Sequence, residues 1–287
     1  MVARLLQYVL IICLAFCFSC KKLSPKIDIP AYISIPYYNV NYTGTYANGG
    51  PGTANHKFTD VDVSVNGTNI GIFPLPAKIP IQQSGSNRVS IKPVIKVNGV
   101  ATVRTDYSPM QLIDTVLTLE EGKLTEFIPT FDYYHSGVIF YWVESFDVFG
   151  SSVVGDSAIH VQSAEKFEGS KAMEVELRNG QTKCIGHSST TFPLPTSSQM
   201  LYLEVNYKCN QKFTVGLAAP GFAEYREVGG ANASADWNKI YFFLTPAASG
   251  LPTYTSYYVY FKFESDGTVQ NDNPRLFLDN IKVVGQP

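Results

Sequence analysis

Two Asn–Gly pairs set between runs of alternating residues constrain this chain more than any other feature. In TDVDVSV (59–65), Val61, Val63 and Val65 fall on one face and Asp60, Asp62 and Ser64 on the other. That period of two belongs to a half-buried strand. Asn66–Gly67 follows, and both residues tolerate the positive φ of a tight hairpin, so NIGIF (69–73) returns antiparallel. The device recurs where Val89, Ile91 and VIKV (94–97) lead into Asn98–Gly99 and VATVRT (100–105) comes back. Pro93 lacks the N–H of a central strand and predicts an edge or a bulge there. AYISIP (31–36), DTVLTL (114–119), the turn EEGK (120–123) and LTEFIPTF (124–131) complete a first block.

Longer strands follow. KAMEVELR (171–178) sets Met173, Val175 and Leu177 against Glu174, Glu176 and Arg178. LYLEVNYK (201–208) sets Leu201, Leu203, Val205 and Tyr207 against Tyr202, Glu204, Asn206 and Lys208. FTVGL (213–217), WNKIYFFL (237–244), TSYYVYFKF (255–263) and RLFLDNIKVV (275–284) continue the pattern, and no amphipathic helix exceeds two turns. With 18 Tyr, 18 Phe, 17 Pro and 22 Gly, the composition suits strands joined by turns, so the predicted class is all-β. The segment 39–57 is polar, rich in Gly, Asn and Thr, and long for a loop, and loops of that length are usually functional or disordered.

The run VDVSVNGTNIGIFPLPAKIPI (61–81), followed by the apolar VSI (89–91), resembles PEGA-type and other Ig-like β-sandwich modules. That resemblance implies a spacer or docking unit with no catalytic residue, here residues 31–132. YYHSGVIFY (133–141) reads as the join. Beyond it, ESFD (144–147), FEGSKAMEVEL (167–177), WNKIYFFL and the closing LFLDNIKVV resemble galactose-binding-like, carbohydrate-binding-module-like jelly rolls. The fold expected is therefore an Ig-like β-sandwich (31–132) followed by a jelly-roll β-sandwich (133–287). In that class the Asp before the last strand, here Asp279, sometimes ligates a structural calcium with acids near the first strand, here Glu144 or Asp147. The alternative is a β-bulge at Asp279–Asn280.

At the N-terminus an apolar run from Leu5 to Phe18 follows Arg4 and precedes Ser19, Cys20 and two lysines. It is shorter than the roughly 20 residues a membrane span needs and suits a secretory signal. The arrangement resembles a loose lipobox of the Bacteroidota type. It implies a signal over 1–19, lipidation at Cys20, a tether over 20–30 and an address at the outer membrane, on a face left open. A net charge of −2 gives no electrostatic footprint for nucleic acid. In an exported chain Cys184 and Cys209 invite a disulfide.

Candidate chemistry is sparse. His56, His135, His160 and His187 are scattered singly, without metal-ligand spacing, and there is no G-x-S-x-G elbow. Glu174, Glu176 and Glu204 are expected on solvated strand faces, and Trp237 in the core. No enzyme, cofactor or metal is predicted. Asp114–Thr115–Val116 and Asp156–Ser157–Ala158 resemble Bacteroidota O-glycosylation acceptors. The most suggestive surface is on TYTSYYVYFKF, where Tyr257, Val259, Phe261 and Phe263 take the core face. That leaves Tyr258 and Tyr260 beside Lys262, with Tyr254 just before, to be covered by the second sheet and loops, to face a protein partner or to stack on sugar rings. The expected function is a non-catalytic interaction subunit docking on an outer-membrane protein complex. The alternative is a glycan-binding surface lipoprotein of a polysaccharide-uptake system.

Overall fold

A computed structural model describes residues 29–286 apart from 45, 47–49, 149–151, 196–199 and 268–272. The signal, Cys20 and most of the tether lie outside the described residues. The chain is all-β. Ten strands make the first block: β1 (Ala31–Ile35), β2 (Asn39–Asn41), β3 (Asp60–Val65), β4 (Thr68–Pro74), β5 (Ala77–Ile81), β6 (Gly85–Lys96), β7 (Arg104–Asp106), β8 (Ile113–Leu119), β9 (Leu124–Glu126) and β10 (Thr130–Asp132). Eleven make the second: β11 (Ile139–Glu144), β12 (Val153–Gly155), β13 (Ile159–Gln162), β14 (Ala172–Glu176), β15 (Lys183–Ser188), β16 (Met200–Cys209), β17 (Phe213–Ala218), β18 (Tyr225–Ala231), β19 (Ser234–Phe243), β20 (Tyr258–Glu264) and β21 (Arg275–Gln286).

In the first block the sheet β5–β1–β9 faces the sheet β4–β3–β6–β7, with β8 also on β6. The alternation read from sequence builds the core between them. Ile33, Ile35 and Ile79 meet Val61, Val63, Val65, Val89 and Ile91, all buried. Each such side chain contributes roughly 1.5–3 kcal/mol of transfer free energy. Asn66 and Asn98 both take positive φ at their turns. Only the first is a two-residue hairpin, with Val65 opposite Thr68; after Asn98–Gly99 a second turn runs from Val100 to Val103, so the strand expected over 100–105 shortens to β7, with Arg104 opposite Lys96. Pro93 pairs only with Val61 of β3, because the other neighbour of β6 changes there from β8 (up to Ile91) to β7 (from Val94). The missing N–H faces that gap.

The second block is a two-sheet sandwich. One sheet runs β13–β14–β21–β16–β19, with β11 also on β21, and the other runs β12–β15–β20–β17–β18. Leu203, Val205, Leu278 and Val283 of the first sheet pack on Val215, Leu217, Val259 and Phe261 of the second. Along one edge β21 takes β14 against Arg275–Leu278 and β11 against Ile281–Gly285. Asp279–Asn280 fills the change-over as a bulge, with Asn280 at φ 47°. Asp279 accepts backbone N–H bonds from Phe167 (3.0 Å), Glu168 (3.2 Å) and Asn280 (2.8 Å). Burial nonetheless pushes its carboxyl up to about 6. Glu144 likewise accepts from the backbone of Phe146 and Ser152, and Asp147 from Ser170 and Lys171. These acids hold loops. Among the described residues no cluster of three or more acids, histidines or cysteines is placed to hold a metal.

Two expectations are corrected here. Cys184 and Cys209 are free, buried thiols. They enter one core from facing sheets, β15 and β16. Facing sheets lie about 10 Å apart, beyond the roughly 4.4–6.8 Å between Cα atoms that a disulfide spans. Glu174, Glu176 and Glu204 are buried rather than solvated. Glu174 meets His160 at 3.0 Å, and Glu176 is held to about 2 by Arg178 first, then by Asn273 and Arg275, against the cost of burial.

Glu204 is covered because the first block roofs half of the six-stranded sheet. Asn98, at the second hairpin turn, donates its N–H to the Tyr241 carbonyl (2.8 Å) and accepts the Phe243 N–H (2.9 Å), capping the edge of β19. The long 42–59 segment crosses the same seam. Thr53 donates to Glu168 (2.5 Å), Asn206 donates to Asn55 (3.0 Å) and the Lys57 N–H donates to the Tyr241 hydroxyl (2.9 Å). Beneath this roof one Glu204 oxygen accepts from Tyr107 and Tyr133, while the other faces Lys239 at 2.9 Å, Lys282 at 3.5 Å and His56 at 3.7 Å. Burial pushes the Glu204 carboxyl up, but the two ammonium groups outweigh it and hold it well below the usual carboxylate range. Burial drives His56 well below the ordinary imidazole value, so it is neutral at pH 7.

Candidate functional site

The outer face of the five-stranded sheet is open, and its aromatic residues gather at one end. Alternation along β20 puts Tyr257, Val259, Phe261 and Phe263 in the core, as read from sequence, and turns Tyr258, Tyr260 and Lys262 outward. Tyr260 pairs with Gly216 of β17, and a Cβ at Gly216 would stand 2.6 Å from its ring. The glycine lets the ring lie across the strand, leaving it only 4% exposed. Burial, with lesser contributions from Glu227 and Tyr225, pushes its hydroxyl up to about 12.

Residues from two other elements wall this floor. Phe222 belongs to a short 3₁₀ turn, Pro220–Phe222, and takes a φ of 55°. Its ring stacks on Tyr258 (5.8 Å, 12°) and tilts against Tyr260 (6.3 Å). His187 of β15 closes the group, 4.9 Å from Tyr258 and 5.1 Å from Phe222. Tyr225, which begins β18, stands edge-on to Tyr260 at 6.1 Å and is 61% exposed. Between them is a recess of about 280 Å³, lined by Phe222, Tyr225, Tyr260, Ile185, Lys183 and Lys262. Lys262 lies 3.3 Å from Glu264 and 3.5 Å from Glu227, and Lys183 lies 3.7 Å from Glu264. Burial alone would lower the Lys262 ammonium, but the two carboxylates outweigh it and hold it above the ordinary lysine value.

Of the tyrosines singled out by sequence, the structure brings Tyr258 and Tyr260 together and leaves Tyr254 elsewhere. Tyr254 packs against the core, and its carbonyl accepts the Tyr257 hydroxyl at 2.6 Å. Trp237 is not a core residue. It is half-buried on the outer face of the six-stranded sheet, beside Phe167 (5.8 Å), and donates to Glu165 (2.7 Å). Phe222, Tyr225, His187 and Gly216 carry no periodic signal that pairs them with Tyr260. Strand pairing sets His187 and Gly216 beside Tyr260, and the turn between β17 and β18 brings in Phe222 and Tyr225.

Chemically the recess offers ring faces and edges and two ammonium groups, each paired with a carboxylate outside the lining. Such a mixture of apolar walls and a few convergent polar groups is the usual make-up of a small-molecule site. No protein-family model matches the chain, and no curated protein matches it. Among solved structures it is similar to a family 29 carbohydrate-binding module, at 11% identity over 52% of this chain and 88% of that one, with a TM-score of 0.34. It is also similar to a variant family 29 module complexed with mannohexaose (13% identity, 52% and 92% covered, TM-score 0.33). A third is a family 61 module in complex with β-1,4-galactotriose (14% identity, 46% and 85% covered, TM-score 0.32). Similarity at this level assigns neither a ligand nor a residue role to this chain.

Proposed function

We propose that this chain is a non-catalytic glycan-binding lipoprotein, lipidated at Cys20 and held at the outer membrane, with the Ig-like first block lifting a jelly roll off the bilayer. One observation carries the reading. The recess between Phe222, Tyr225 and Tyr260 is pre-formed, aromatic and bordered by Lys183 and Lys262. Sugar rings present an apolar C–H face that stacks on aromatic rings, and hydroxyls that lysine ammonium groups and carboxylates bind. A protein ligand would use a flatter and larger surface than this.

The test is a broad glycan array, followed by calorimetry on the strongest hit with Tyr225→Ala and Phe222→Ala. Each variant is expected to bind about tenfold more weakly, the worth of one aromatic contact near 1.4 kcal/mol. Their melting temperatures should stay close to wild type. A chain that binds nothing on the panel, or variants that bind as well as wild type, would remove the proposal. Docking on an outer-membrane complex draws on a different region, the exposed Ile70 and Ile72 of β4 and Val116 of β8. Co-purification of a barrel protein, lost on Ile72→Lys, would favour it.

A further inference from the structure

The seam between the two blocks holds a second cavity, of about 150 Å³, whose lining is cationic. Lys57 and Lys96 reach it from the first block, and Asn238 and Lys239 line it from β19. No acidic residue lines it. The Lys57 ammonium donates to the Asn238 side-chain carbonyl. Burial, and then the charge of Lys96, lower its affinity for a proton. Among the described residues no carboxylate stands within ion-pair distance of Lys57 or Lys96.

The cluster behind the cavity has the same imbalance. Under the roof one carboxylate, Glu204, faces two ammonium groups, Lys239 and Lys282, while His56 is neutral. Lys239 is 6% exposed, and its Nζ has an ion contact with Glu204 but no hydrogen-bond acceptor. The interior therefore carries an excess positive charge next to a cavity bordered by two more lysines. Buried charge persists when it is paired, and among the described residues Glu204 alone is in ion-pair contact with these two ammonium groups, the exposed Glu168 acting on Lys282 from further off.

We propose that this cavity binds a small oxyanion: sulfate, phosphate or a carboxylate, held by Lys57 and Lys96 and favoured by the charge of the Lys239–Lys282 pair. The anion would come either free from solution or as the charged substituent of an acidic glycan. Because the two lysines belong to the first block and Asn238 and Lys239 to the second, the occupant bridges them. Binding then stabilises the seam by mass action. The proposal does not depend on the aromatic recess, which lies on the opposite sheet.

The test uses sodium sulfate and sodium phosphate against sodium chloride at matched ionic strength, read by calorimetry and by thermal melting. Wild type is expected to show saturable binding and a saturable rise in Tm. Lys57→Met/Lys96→Met should lose at least tenfold in affinity, keeping only the linear, non-saturating rise that excluded anions give any protein. Tyr225→Ala should bind sulfate as wild type does. Both lysine side chains emerge towards solvent, and a single Lys96→Gln variant provides the same comparison if the double variant folds poorly. A second arm adds sulfated and uronate oligosaccharides. Displacement of sulfate by them places the anion on a glycan, and no displacement assigns it to the free ion. Equal, non-saturating rises in wild type and both lysine variants would overturn the proposal.

Discussion

LYLEVNYK in the six-stranded sheet and TSYYVYFKF in the five-stranded sheet carry the same alternation, and each turns tyrosine and charge outward. On the first, Tyr202, Glu204 and, from neighbouring strands, Tyr241 and Lys282 are buried under the first block. On the second, Lys262 has, among the described residues, surface carboxylates for its ion-pair partners, and Tyr225 stands 61% exposed. The outward positions of a strand are thus not a chemical class in themselves. Whether they form a structural seam or a binding face is decided by what covers them, and here one sheet is roofed and the other open.

The sharpest way to separate the two faces is to remove one charge from each. Glu204→Gln leaves Lys239 and Lys282 buried without a counter-charge, and is expected to cost about 3–5 kcal/mol in urea denaturation. Lys262→Met on the open face should cost under about 1 kcal/mol, as screened surface pairs do. Comparable losses from the two variants would mean that the roof does not exclude water, and the contrast would collapse. Next in size is Gly216→Ala. Its Cβ would fall 2.3 Å from the Arg226 carbonyl oxygen and 2.6 Å from the Tyr260 ring. Overpacking of that kind costs roughly 1–3 kcal/mol, and the displaced ring should weaken glycan binding as well. Full affinity in a folded Gly216→Ala chain would show that the floor of the recess is not part of the site.

How far the sequence reached follows the same division. Period-two alternation placed Val61, Val63, Val65, Val259 and Phe261 in cores correctly, because strand geometry alone fixes which side they take. The tight turn at Asn66–Gly67 was legible for the same local reason, whereas the strand expected directly after Asn98–Gly99 begins only at Arg104. Glu204 was read as solvated because nothing within LYLEVNYK reports that a segment near residue 56 will lie over it. The length and composition of 39–57 marked it as consequential, without showing what it would cover. Likewise Tyr258 and Tyr260 were visible on one strand, whereas Phe222 and Tyr225 reach them across β17 and β18. Trp237 was misplaced for a related reason. Its strand has one buried and one half-covered face, and residue type alone does not choose between them.

Acid should find the roofed face before the open one. His56 is held neutral by burial, so below about pH 6.5 the unfolded chain takes up a proton that the folded chain refuses. Stability then falls with pH, by an expected 1–2 kcal/mol between pH 7 and 5. A further loss follows at lower pH as the depressed Glu204 carboxylate is protonated. In alkali the signs differ. Burial lowers Lys282 to about 8 from an ordinary 10.5, so stability rises between those values. Above pH 10 it falls, because buried Tyr107 and Tyr133 keep protons that the unfolded chain has lost. Urea melts from pH 5 to 11 give the profile. His56→Asn should flatten the slope between pH 7 and 5.

The smallest effect expected is none at all, and it concerns the core between the two faces. Cys184 hangs from the open sheet and Cys209 from the roofed one, so a bridge between them would tie the sheets across the sandwich. Such a loop closure would add roughly 3 kcal/mol. The thiols are instead separate, with burial raising them to about 12 and about 11. Thiols so buried and so weakly acidic react slowly in any chemistry that needs a thiolate. Alkylation under native conditions should be slow at both sites and complete in urea, without reductant. Adding reductant should leave the Tm where it was. A fall in Tm on reduction, or a mass two protons short before it, would mean that the sheets approach more closely than facing sheets normally do. In that case the cover over Glu204 and the opening around Tyr260 could no longer be treated as independent.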